Sequence, residues 1–117
     1  MNVRLYVWQR LTAAAMAPLL LVHLAVIFYA TRKGLSAADL LARTRGSMSW
    51  AVFYGVFVSA VAVHAAIGVR TVLSEWLPLR ARHADVAAVL FGVLLAVLGF
   101  RAVAAVVLPK VLPVVLP

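Results

Sequence analysis

The sequence predicts an all-α membrane protein built on three transmembrane helices, and three observations carry that prediction. Of its 117 residues, 67% are hydrophobic and only 12% are charged, whereas soluble domains run at roughly 45–50% apolar and about 25% charged. The apolar residues gather in three runs, about 11–30, 48–72 and 86–108, and each reaches the ~20 residues a helix needs to cross a bilayer core. Within the second run the polar residues recur at helical spacing rather than in the alternation of a strand.

The chain is too short for two ordinary domains, so residues 1–117 read as a single unit. There is no cysteine, which excludes a disulfide framework and a thiolate metal site. A net charge of +8 would suggest nucleic acid in a polar protein. Here the lysines and arginines flank the apolar runs, as they do at membrane borders, so the expected partner is the lipid bilayer and no nucleic acid.

The first run follows "MNVRLYVWQR" and continues through "LLLVHLAVIFYA", which reads as a retained helix in which Pro18 introduces a kink. In the linker "TRKGLSAADLLARTRGS", Ser36 and Asp39 stand at capping-box spacing and predict a short interfacial helix. The second linker, "SEWLPLRARHAD", contains Pro78 to end the second span and Asp85 to cap the third. With three spans, Arg4, Arg10, Arg70, Arg80 and Arg82 lie on one side, and Arg32, Lys33, Arg43, Arg45, Arg101 and Lys110 on the other. That balance leaves orientation open.

"HAAIGVRTVLSEW", residues 64–76, carries the chemistry. At 100° per residue Phe57, His64, Gly68, Thr71 and Glu75 share a narrow stripe, and an ionisable residue inside a span is a functional candidate by default. Neutral imidazole is a common ligand of haem iron, and Gly68, one turn from His64, leaves room for a flat, bulky group. The competing reading is that His64 bonds a neighbouring helix and Gly68 permits close packing. Arg70 and Glu75, near the border, favour the first by offering contacts to propionates or a polar redox headgroup.

His64-x-x-x-Gly68-x-Arg70 followed by Glu75 resembles the second-helix motif of the cytochrome b membrane anchor subunits of succinate dehydrogenase and fumarate reductase, complex II. "WQRLTAA" is similar to the family's first-helix "HRxSG", with Arg10, Thr12 and Ala13 for its arginine, serine and glycine. The 64–76 stretch also resembles the companion anchor's "HAxxGxxxVLxDY". Gln9 replaces a histidine, Tyr6 a serine associated with quinone, and Trp76 a quinone-contacting tyrosine, which leaves open which of the two anchors this is.

The resemblance implies a three-helix half of a heterodimeric anchor bundle, with a second anchor subunit, an iron–sulfur subunit and a flavoprotein as partners. It further implies electron transport linked to the tricarboxylic acid cycle, haem b and quinone as cofactors, and an inner membrane location with a cytoplasmic amino terminus. His64 carries over as the axial iron ligand. Arg10, Gly68 and Arg70 join it at the haem, Arg10, Tyr6, Trp76 and Glu75 are expected at the quinone, and no dicarboxylate site is expected in this chain. His23 is a candidate for a second haem, since counting along the helices sets it at a depth similar to that of His64, with structural packing as the alternative. Two other functions remain open: a b-type subunit of another membrane oxidoreductase, and a small non-haem transporter. The latter normally buries a carboxylate in a span, which Asp39, Glu75 and Asp85 do not predict.

Overall fold

The computed structural model describes residues 3–108. Four helices follow one another: α1 (Val3–Lys33), α2 (Ala37–Thr44), α3 (Met48–Trp76) and α4 (Ala81–Val107). Among the described residues α1, α3 and α4 are the helices long and apolar enough to cross a membrane. Lys110 of the charge count lies outside the described residues.

Each boundary has a local cause. α1 begins before the apolar run, because Arg4 and Arg10 are good helix formers and nothing in "VRLYVWQR" breaks the turn. Its 31 residues rise ~46 Å, more than the ~30 Å hydrocarbon core, so the arginine-bearing turn reaches the border. Pro18 lies inside α1 without ending it. Gly34, at φ 65°, closes the helix: its N–H donates to the Thr31 carbonyl at 3.2 Å and that of Leu35 to Ala30 at 3.0 Å, the paired bonds of a Schellman stop.

The expected interfacial helix is present with its capping box. Ser36 Oγ accepts from the Asp39 N–H at 3.2 Å, and Asp39 Oδ2 accepts from the Ser36 N–H at 2.9 Å. These bonds to Ser36, assisted by Arg43, hold the Asp39 carboxyl below its usual range. Thr44 Oγ1 donates to the Val106 carbonyl at 2.6 Å and the Gly46 N–H to that of Val107 at 2.7 Å, which fastens α2 to the end of α4.

α3 ends at Trp76, before Pro78, as expected. The start of the last span differs. Arg80 occupies the N-cap of α4 without a side-chain cap bond, so Asp85 is not the cap and His83 is helical rather than in a linker. Asp85 lies in the second turn, where it accepts a hydrogen bond from Arg70 Nε of α3. The Leu77–Leu79 turn, closed at 2.8 Å, is so tight that the helix resumes at once and carries Asp85 to Arg70.

α3 is the central helix, packed on one side by α1 and on the other by α4. The α3–α4 seam is built from small residues: Ala62 and Ala66 of α3 lie against Gly92, and Ala84 and Ala88 of α4 are buried. A Cβ at Gly92 would come within 2.9 Å of the Ala66 side chain, and one at Gly99 within 2.5 Å of Val58. Both glycines are therefore required by close backbone approach, the small-residue packing of membrane helices. Large apolar side chains such as Leu21, Phe28, Val89 and Leu90 point outward, suited to lipid or further helices.

Candidate functional site

The stripe read from the sequence is the seam between α3 and α1. At its amino-terminal end Gln9 of α1 meets Gly68 of α3, its Nε2 lying 3.7 Å from where a glycine Cβ would be. One turn along, Thr12 Oγ1 lies 3.2 Å from His64 Nδ1. Farther along, the His23 ring meets the edges of Tyr54 and Phe57, with centroids 5.8 and 5.6 Å apart. The two helices run antiparallel, so spacings of three on α1 and four on α3 keep Gln9 opposite Gly68 and Thr12 opposite His64.

Hydrogen bonding at Thr12 orients the His64 ring. Thr12 is the one buried polar residue among the described residues, and its hydroxyl lies 2.8 Å from the Trp8 carbonyl and 3.1 Å from that of Gln9. A hydroxyl has one proton to give and lone pairs to receive. With that proton on the carbonyl of the preceding turn, Thr12 accepts from Nδ1–H of His64. The neutral imidazole then presents its lone pair at Nε2, which makes no hydrogen bond among the described residues. This is the arrangement typical of a ligating histidine, one ring nitrogen held by an acceptor and the other bare.

Gly68 differs from the packing glycines of α4. A Cβ there would make an ordinary 3.7 Å contact with the end of Gln9, so helix approach within this chain does not require glycine. Gln9 Oε1 beside it is buried without a hydrogen-bond partner, an acceptor of the kind that a bound group commonly satisfies. The bare Nε2 fits a ligating role, whereas the Gln9 carboxamide already lies within contact distance of the Gly68 face and its orphaned Oε1 needs a donor, which haem lacks. Among the described residues no three His, Cys, Asp or Glu side chains converge.

The remaining expected residues divide into two groups. Tyr6 and Arg10 come together on exposed α1, the guanidinium 5.7 Å from the ring centroid, a separation at which cation–π attraction operates. Glu75 and Trp76, exposed at the end of α3, share that end of the bundle. Arg70 is engaged by Asp85, and among the described residues Glu75 makes no ion pair. His23 is not level with His64: its neighbours Phe57 and Tyr54 precede His64 by ~10 and ~15 Å of helix rise. The depth count fails because it sets Arg10 level with Glu75, whereas Gln9 lies at Gly68 and Thr12, not His23, is opposite His64.

Gln9 and Thr12 were visible only as departures from a motif, and their roles appear once α1 is laid against α3. The i, i+3 spacing of Gln9 and Thr12 beside the i, i+4 spacing of His64 and Gly68 was the available signal. The aromatic surroundings of His23, formed by Tyr54 and Phe57 with Trp50 stacked on Tyr54, had no comparable sequence signature.

The fold defines a small helical membrane protein with three candidate spans, and His23 and His64 lie within the first two. The family model described as succinate dehydrogenase/fumarate reductase transmembrane subunit matches residues 1–108. The chain belongs to this family, and is thus a membrane subunit of the multi-subunit succinate dehydrogenase/fumarate reductase type. Comparison with curated proteins and with solved structures finds no match.

Proposed function

We propose that this chain is one half of a two-subunit cytochrome b anchor, with His64 as one axial ligand of a b-type haem and its amino-terminal end lining a quinone site. The observation that supports it most is the meeting of the two segments that carry the family resemblance, Thr12 against His64 and Gln9 against Gly68. A bound haem b supplies a one-electron redox centre. Thr12 would orient the imidazole by accepting a hydrogen bond from its Nδ1–H, and Gly68 presents no side chain to a porphyrin on that face. The second axial ligand comes from the companion anchor.

At the border, Arg10 provides a charge that does not titrate, and Tyr6 and Trp76 each provide a ring with a polar hydrogen for a quinone headgroup. Glu75, exposed and unpaired, exchanges protons with water there. Arg70, held by Asp85, contributes to the electrostatic field at the haem edge. The iron–sulfur and flavoprotein subunits dock on this face, which makes the amino terminus cytoplasmic in an inner membrane. For His23 we favour packing, because its Nδ1 is buried and its described contacts are ring edges.

The test is the spectrum of the purified, dithionite-reduced complex, with this chain co-expressed with its companion anchor. A b-type band is expected with the pair and little with either chain alone. No band in the assembled complex would overturn the reading, and a full complement on the isolated chain would contradict the shared ligation.

A further inference from the structure

The end of the bundle away from His64 holds a cavity that this function does not use. Its volume is about 740 Å³, within the range of ligand sites, and it lies between α1, α3 and α4 under α2. His23 and Phe57 mark its inner reach, and Ala25, Gly99, Ala102 and Val103 form apolar walls. Leu40 and Leu41 of α2 roof it, with Arg43 and Thr44 at the same rim. The polar Nδ1 of His23 is buried away from the space, so that residue presents a ring edge to it.

The charge around the mouth is one-sided. Arg43 lines the cavity, its guanidinium 5.8 Å from the Tyr29 ring centroid. Arg32 and Lys33 close α1, and Arg45 caps α2. Among the described residues no carboxylate lines the space; Asp39, the one acid of this segment, is held by the Ser36 cap and also feels the charge of Arg43. An apolar chamber opening beside an amphipathic interfacial helix, with a guanidinium at its rim, suits hydrocarbon below and an anion above.

We propose that this cavity binds an anionic phospholipid, with an acyl chain between α1, α3 and α4 and the phosphate at Arg43. Basic pockets between membrane helices select anionic headgroups in this way. A companion protein helix is the less suitable occupant, because it would have to place an acid opposite Arg43 and thread beneath α2, which is bonded to α4 through Thr44 and Gly46.

Native mass spectrometry of the full-length chain in neutral detergent tests this, with phosphatidylglycerol and phosphatidylcholine of identical acyl chains as probes. One phosphatidylglycerol should be retained about tenfold more tightly than phosphatidylcholine. Arg43→Gln should weaken its binding about fivefold, the share of one basic side chain at a membrane surface, and leave phosphatidylcholine unaffected. Ala102→Phe, which fills the chamber from an α4 position already exposed, should remove the retained lipid with Arg43 in place. Helix content by circular dichroism shows whether either variant has failed to fold. If one has, Arg43→Met, expected to weaken phosphatidylglycerol as Arg43→Gln would, and Ala25→Leu, expected to expel it, take their places. Equal retention of the two lipids by the unaltered chain would overturn the proposal, as would unchanged phosphatidylglycerol binding in folded variants of both kinds.

Discussion

The two seams of α3 use small residues for different ends. Against α4, Gly92 and Gly99 are glycine because a Cβ would strike Ala66 or Val58. Against α1, Gly68 has space for a Cβ, and it is accompanied by a histidine, a buried threonine and an orphaned carboxamide oxygen. One seam is closed for packing and the other is left open beside polar groups. A glycine in an apolar helix thus has two possible meanings, and the distance to the facing atom separates them.

The comparison is most easily broken by moving a methyl group across it. Gly99→Ala should destabilise the chain by about 1–3 kcal/mol, the usual penalty of overpacking, because β-branched Val58 has little freedom to turn aside. Gly68→Ala should leave thermal stability in detergent near the parent value and instead lower haem content or shift the reduced spectrum of the assembled complex. Equal destabilisation by the two substitutions would show that both seams are packing seams.

Thr12→Val sharpens the account of the open seam. Valine keeps the shape and withdraws the oxygen that holds Nδ1, and loss of such an outer partner typically reduces ligand affinity 10–100-fold. Haem retention during dilution should fall by that order and be restored in Thr12→Ser, which keeps the hydroxyl. Retention unaffected by valine would remove Thr12 from the site.

Much of this was legible beforehand, for identifiable reasons. Span number follows from apolar run length, and the capping box of Ser36 and Asp39 is a local pattern that needs no tertiary knowledge. The stripe from Phe57 to Gly68 was legible because helical period alone sets which residues share a face. Its partners were not. Register between α1 and α3 is set by their packing, which places Gln9 at Gly68 and Thr12 at His64. Asp85 was misread for a related reason: its fitness as a cap is local, but Arg70 reaches it only across the turn at Pro78. Why Gln9 stands at the Gly68 position became clear only from the packed helices.

Two smaller effects bear on the ends of the seams. Arg70→Gln and Asp85→Asn should each reduce stability by no more than about 1 kcal/mol, since the pair is partly exposed, with side-chain accessibilities of 27% and 52%. A double-mutant cycle on thermal unfolding should return a coupling of that size, and zero coupling would mean that this pair adds nothing to the α3–α4 packing. At the other end, the depressed Asp39 carboxyl makes α2 sensitive to acid. A lowered folded pKa gives a stabilisation that is full above the ordinary value of 3.8 and lost as pH falls through the folded value. Amide exchange in residues 37–44 should therefore accelerate only in strong acid. Ser36→Ala should show the faster exchange already at neutral pH, and identical exchange in both proteins would deny the cap a role.

The most direct measurement is the low-spin haem signal of the assembled complex carrying His64→Phe, read by absorption and electron paramagnetic resonance beside His23→Ala. Phenylalanine fills the volume of the imidazole and withholds a ligand, so packing and coordination give opposite outcomes. The account predicts that the low-spin signal is lost or converted to high spin in His64→Phe while the subunits still assemble, and that it persists in His23→Ala. A full low-spin signal in His64→Phe would contradict the assignment of His64 as the iron ligand.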